Sequence, residues 1–180
     1  MESPKKTLGL LRHAKYDPGD LSLRDFERGL NAKGRRGAAL MGRHIRGHGV
    51  KWDWLIASPA ERVRMTLAAA GLSTSTKWDE RLYLADSGTL LDVLRDIDDD
   101  PAAVLIAGHN PGLQELICEL VAPESENQAF AAVAEKFPTA SFAVIELAIE
   151  RWAECAPGRG LLVHLARPRD LDPELGPLAG

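Results

Sequence analysis

Five short apolar segments punctuate this 180-residue chain, and each stops at a polar or glycine-containing turn. Thr7–Leu11, Trp54–Ala57 and Ala103–Ala107 are almost continuously apolar, the pattern of strands buried on both faces. Ser141–Ile149 and Leu161–Ala166 predict two more strands, joined by a loop containing Pro157-Gly158. The intervals between them carry helical spacing. Gly34–Gly47 gathers Ala38, Met41 and Ile45 on one face and turns Arg35, Arg36, Arg43 and Arg46 toward water, which predicts a helix despite its glycines. Behind Ala57, Ser58 reads as an N-cap, Pro59 as the first helical residue and Glu61 as the partner in a capping box, with the helix ending near Gly71. Asp86–Asp98 spaces Leu90, Leu91, Leu94 and Ile97 for a helix begun by Ser87. Asn110-Pro111 starts another through about Val121, and Ala129–Lys136 predicts a short one.

Alternating strands and helices of this kind predict an α/β fold, a three-layer sandwich around a mainly parallel sheet. The length suits one domain over residues 1–180, large enough for a core without cross-links. Asp17–Lys33 is polar and turn-rich, a loop over the mouth of the sheet. Residues 167–180, with three prolines and two glycines, predict an extended surface tail.

Composition narrows the partners. The formal charge, 22 − 26 = −4, argues against a broad nucleic-acid footprint. No apolar run is long enough for a bilayer, and the N-terminus shows no secretory signal. Cys118 and Cys155 read as reduced thiols of a cytoplasmic protein, expected to be a monomer.

Ligands of open α/β sheets bind beyond the carboxyl ends of the strands. Three of the predicted strands end in reactive residues: Arg12-His13, Ser58 leading to Arg62, and Gly108-His109-Asn110-Pro111. Two guanidiniums can grip phosphoryl oxygens bidentately, and a helix N-terminus adds partial positive charge. A histidine beside them is a nitrogen nucleophile facing an anionic centre. The set reads as a phosphate pocket with a histidine nucleophile and no need of a cofactor or metal. His44 and His48 have zinc-like spacing, but with no third ligand in view they read as a solvated helix end, and His164 receives no role. Thr66 reads as a structural residue.

Leu11-Arg12-His13, Arg28-Gly29-Leu30 to Gly34, Ser58-Pro59 with Arg62 and Thr66, and Gly108-His109-Asn110-Pro111 occur in the order found in branch 1 of the histidine phosphatase superfamily, related to the phosphoglycerate mutases. More narrowly, the chain resembles the short SixA-type phosphohistidine phosphatases, from about Thr7 to Leu120. The family usually has glycine after its histidine nucleophile; this chain has Ala14. The resemblance implies that His13 carries a transient phosphohistidine, that Arg12 and Arg62 clamp the phosphoryl group, that His109 donates to a further oxygen, and that water releases inorganic phosphate without a metal. Larger relatives carry more chain, folded as a cover, than this one has between Arg62 and His109. For the proton donor to the leaving group, one alignment on Asp79-Glu80-Arg81-Leu82-Tyr83 nominates Glu80 and another nominates Asp86. The expected substrate is protein phosphohistidine. The rival readings are a small-molecule phosphomonoesterase or mutase and, from another class, a non-catalytic phosphate-binding or partner-docking module.

Overall fold

A computed structural model describes residues 5–19, 21–73 and 75–176. Strands β1 (Lys6–Arg12), β2 (Trp54–Ala57), β3 (Thr76–Trp78), β4 (Ala103–Gly108), β5 (Phe142–Leu147) and β6 (Gly160–Ala166) form one sheet in the order β3-β2-β4-β1-β5-β6. The β3, β2, β4 and β1 neighbours pair in parallel, while β5 runs antiparallel to both β1 and β6. The α/β sandwich with a mainly parallel sheet is therefore present.

Helices α1 (Ala32–Gly47) and α2 (Glu61–Ala70) cover one face; α3 (Ser87–Arg95), α4 (Gly112–Leu120) and α5 (Gln128–Glu135) cover the other. Alternate strand residues serve the two cores. Leu8 and Leu10 of β1, with Val104 and Ile106 of β4, pack beside Leu90, Leu94, Leu113 and Ile117. Leu11, Leu105 and Ala107 face Met41, Ile45, Val63 and Leu67. Burial on both sides explains why these strands lack polar alternation.

Two glycines of α1 are required by close approach. A Cβ on Gly34 would lie 2.0 Å from the Lys15 carbonyl oxygen, and one on Gly42 would lie 2.1 Å from that of Ala70. The glycines that weaken helical propensity thus let α1 sit against α2 and against the segment following His13.

Three expectations need correction. Ser58 does not cap α2: Ala60 holds that position, and the Ser58 hydroxyl is engaged by His109. The helix consequently starts at Glu61, which places Arg62 in its first turn, nearer the sheet mouth. Strand β3 was not anticipated, because three largely exposed residues on an edge carry no apolar pattern. Residues 168–175 are not extended; they turn through α6 (Pro168–Leu171) and a 3-10 turn at Pro173–Leu175, with Leu171 packed on the α1/α2 side of the core, while 177–180 of the expected tail lie outside the described residues.

Candidate active site

Register sets the frame of the site. Arg12 pairs with Gly108 and Ala57 pairs with Ala107, so β2, β4 and β1 end side by side. The residues that follow them, Ser58, His109 and His13, line one edge of the sheet, and α2 brings Arg62 to the same edge.

His13 is 4 % exposed and its Nδ1 lies 2.8 Å from the Ala14 carbonyl oxygen. A carbonyl oxygen only accepts, so Nδ1 carries the proton and Nε2 keeps a free lone pair. Burial, with the charges of Arg12 and Arg62, pushes the His13 pKa down to about 4. The ring is therefore neutral and nucleophilic at physiological pH. Ala14, where the family usually has glycine, fits without strain: it is fully buried beside Leu30, Ala38 and Ala140, and its N–H donates to Thr66 Oγ1 at 2.9 Å. Thr66 Oγ1 in turn donates to the Arg62 carbonyl at 2.7 Å. Thr66 thus ties the α2 backbone to the turn that orients His13.

His109 stands 5.3 Å from His13 between ring centroids. Its Nε2 is 2.8 Å from Ser58 Oγ, while its buried Nδ1 has no protein partner. Ser58 Oγ also accepts from the Ala60 N–H at 3.3 Å. With Ser58 donating its hydroxyl proton to Nε2, the His109 proton sits on Nδ1, where it is a donor for a phosphoryl oxygen. Burial, reinforced by His13 and Arg62, depresses the His109 pKa to about 3.

Arg12 and Arg62 supply the cations. Arg12 donates from Nη1 to the Phe137 carbonyl at 3.0 Å, and its buried Nε has no partner. Arg62, 2 % exposed, stacks over Tyr16 at 4.6 Å, and its Nε is likewise unpartnered. Its two terminal nitrogens donate to Asp25, one to the carbonyl at 2.9 Å and one to Oδ2 at 3.0 Å. Tyr83 donates to the same Oδ2 at 2.5 Å. Burial alone would raise the Asp25 pKa, but the bonds from Tyr83 and Arg62 hold it below the usual carboxylate range. Sequence reasoning did not single out Asp25, Tyr83 or Tyr16. Asp25 lies 37 residues from Arg62 in a loop of mixed charge, where nothing local marks it.

Neither nominated acid joins this cluster of contacts. Asp86 is the N-cap of α3: its Oδ1 accepts from the Thr89 N–H at 2.8 Å, and that bond lowers its pKa. Glu80 is exposed in the 3-10 turn Glu80–Leu82, whose next residue, Tyr83, is the one that reaches Asp25.

A cavity of about 340 Å³ adjoins the turn after His13; Ala14, Lys15 and Tyr16 line it, whereas Arg12, His13, Arg62 and His109 do not. Lys33, Lys136, Arg167 and Arg169 also line it, and none of its lining residues is acidic.

His44 and His48 lie outside this pocket, but they are not a bare helix end. The fold brings His164 to them across 120 residues, with Nε2 atoms of His44 and His164 2.8 Å apart.

The buried histidines make stability depend on pH. In the unfolded chain, His13 and His109 take up protons near pH 6.5; in the folded protein they resist until about pH 4 and 3. The unfolded state therefore binds more protons below pH 6.5, and stability falls as pH drops from there toward 4. Each pKa unit is about 1.4 kcal/mol, so the two rings together remove on the order of several kcal/mol, a large share of typical domain stability. Urea unfolding between pH 7 and 4 should show this loss. A flat profile would mean that the rings are far better hydrated than their burial implies.

No family model matches the chain. It is 34 % identical over 160 residues to an uncharacterized protein of Mycobacterium tuberculosis and 32 % identical over 162 residues to one of Mycobacterium leprae; each alignment covers 88 % of this chain and 100 % of the relative. Among solved structures, a candidate phosphohistidine phosphatase SixA from Nakamurella multipartitia superposes with a TM-score of 0.82 at 29 % identity, covering 93 % of this chain and 99 % of that one. A second candidate SixA, from Agrobacterium tumefaciens, gives 0.73 at 25 % identity, covering 91 % and 99 %. A protein histidine phosphatase SixA complexed with tungstate shares the fold, with a TM-score of 0.72 at 23 % identity and coverage of 92 % and 99 %.

Proposed function

Because this chain belongs to the SixA-type group of the histidine phosphatase superfamily, we propose that it hydrolyses phosphohistidine on proteins through a covalent intermediate on His13. The observation that carries the reading is the His13 ring itself: Nδ1–H is committed to the Ala14 carbonyl, and Nε2 is neutral beside two buried guanidiniums.

In the first step, the Nε2 lone pair forms a bond to phosphorus while the bond from phosphorus to the substrate imidazole nitrogen breaks. The leaving imidazole takes a proton from solvent. Positive charge developing on the His13 ring is stabilised through Nδ1–H and the Ala14 carbonyl. Arg12, Arg62 and the Nδ1–H of His109 bind the three non-bridging oxygens, where charge spreads during transfer. Entry of the phosphoryl group exchanges the Arg62–Asp25 pair for an Arg62–phosphoryl pair. Water then attacks phosphorus on the opposite side, the bond to His13 breaks, and inorganic phosphate leaves.

Phosphohistidine suits this site better than an alcohol phosphate does. Imidazole departs more readily than an alkoxide and asks less of a general acid. Asp86 is occupied as a cap and Asp25 is ionised, which leaves the exposed Glu80 as the proposed donor for any ester substrate. The cavity at the turn after His13 also supports a side chain projecting from a protein surface, and its lysines and arginines suit an acidic surround. Free thiols at Cys118 and Cys155 fit the reducing cytoplasm, and no described helix is long and apolar enough to cross a membrane.

The test is kcat/KM for a phosphohistidine-bearing protein against 3-phosphoglycerate and common sugar phosphates. We expect the protein substrate to be favoured by at least about 100-fold, the scale of a missing proton-transfer contribution. A wide margin for a phosphomonoester would transfer the assignment to small metabolites. Glu80→Gln should slow ester hydrolysis more than phosphohistidine hydrolysis. The non-catalytic alternative predicts that no acid-labile phosphate is trapped on His13 during turnover.

A further inference from the structure

Away from the phosphate pocket, three imidazoles converge where helix α1 meets edge strand β6. His44 lies in the last turn of α1, His48 is its C-cap, and His164 lies on β6. One ligand nitrogen from each lies within 4.8 Å of those of the other two. The ring of His164 is 5.0 Å from His44 and 4.1 Å from His48 between centroids. We propose that these three histidines bind a late divalent transition metal, with zinc as the reference ion, and that the ion clips α1 to β6.

The ligand set selects the ion. Imidazole nitrogen suits zinc, cobalt, nickel and copper, whereas magnesium and calcium require oxygen ligands, and the cluster contains no carboxylate. Two histidines at i and i+4 on a helix present their rings on one face, and a third from another element gives a three-histidine site with an open fourth position for water. The three rings are half-buried, so an ion can enter and keep that water. Behind them stands Phe142, fully buried, with its ring centroid 5.9–6.3 Å from all three. This apolar wall limits how far the imidazoles can rotate away.

Movements of up to roughly 1.5 Å bring the three nitrogens, all within 4.8 Å of one another, onto one ion. Ligand nitrogens at about 2.05 Å from a tetrahedral zinc are about 3.3 Å apart, so the His44–His164 pair, now 2.8 Å apart, must open by roughly half an ångström. In the metal-free state these two nitrogens share one N–H in a hydrogen bond; on binding, the ring that carries it holds its proton on Nδ1 instead and frees Nε2 for the ion. Electrostatics favour the exchange, because the C-terminal end of α1 carries partial negative charge.

The position separates this site from phosphoryl transfer. Val144 pairs with both Gly9 of β1 and His164 of β6, which puts His164 level with a point four residues before His13 and two strands across. Strand geometry makes that roughly 15 Å. The ion would act on the stability of the fold.

The full chain, stripped with EDTA, is titrated with zinc chloride by calorimetry and with cobalt chloride by visible absorption. The expected result is one equivalent bound, with the intense ligand-field bands of low-coordinate cobalt. The thermal midpoint should rise by roughly 5 °C or more when free zinc is 100-fold above Kd. His164→Ala and His48→Ala should each weaken binding by at least about 100-fold, while His13→Ala, which dismantles the His13–His109 pair, should bind zinc as the native protein does. Turnover should survive both EDTA and His164→Ala. Absence of stoichiometric uptake, uptake undiminished in a folded His164→Ala or His48→Ala protein, or uptake lost in His13→Ala would each overturn the assignment. If His164→Ala does not fold, His48→Ala decides the same question from the exposed helix end. Loss of turnover on stripping would refute the separation of the two sites.

Discussion

Replacement of His13 by alanine is expected to lower turnover by at least about 10⁴-fold and to leave the fold intact. Without Nε2 there is no atom to accept the phosphoryl group, and the surrounding guanidiniums can hold phosphate but cannot divide the displacement into two steps. The substitution does leave a small cavity at a buried position, with the cost that truncation brings. It also removes a ring that is held neutral at the expense of its proton, so His13→Ala should lose less stability on acidification than the native protein. Single-turnover assays on a phosphohistidine protein, acid-labile phosphate trapping and urea unfolding read the three consequences separately. A folded variant that retains turnover within tenfold of the native protein would exclude His13 as the nucleophile.

Arg62→Ala should weaken both oxyanion binding and turnover, by about 2–5 kcal/mol, or roughly 30- to 5,000-fold. The guanidinium is almost wholly buried, and in the free protein it is paired with Asp25, which a phosphoryl group must replace. Truncation therefore removes an arm of the clamp and leaves the Asp25 carboxylate with Tyr83 but without its cation. That residual negative charge would itself repel phosphate. Arg62→Ala combined with Asp25→Asn should accordingly recover part of the lost affinity, whereas Arg62→Lys keeps the charge without the bidentate fork and should fall between native and alanine. Vanadate or tungstate binding by calorimetry, set beside kcat/KM, checks each step. Oxyanion affinity unchanged in a folded Arg62→Ala protein would place Arg62 outside the phosphoryl site.

These two substitutions act on residues marked by local pattern, while much of what sets their effects is not. Arg12 ends β1, His13 and His109 follow β1 and β4, and Arg62 follows β2 by a short turn; strand ends of this kind are readable from apolar runs. Ser58 shows where that reading stops. Its place after a strand and before Pro59 matches a helix cap, but a hydroxyl can satisfy only a few partners, and the shorter of its two bonds is to His109, 51 residues away. Asp86, nominated as an acid, takes the capping role that its position before Ser87 permits.

The amino-acid sequence by itself determined the two-sided burial of the central strands, the helices that flank them, and the histidine and arginine side chains at the strand ends. All of these depend on periodicity or on neighbours a few residues apart, which act through backbone geometry. Tertiary structure alone decided which hydroxyl His109 meets, because folding sets Ser58 against it across 51 residues. It also decided that Asp25 accepts from both Arg62 and Tyr83, and that His164 joins His44 and His48. Such contacts span 37 to 120 residues, and their partners are set by sheet order and helix packing, which a linear pattern of apolar and polar positions does not encode.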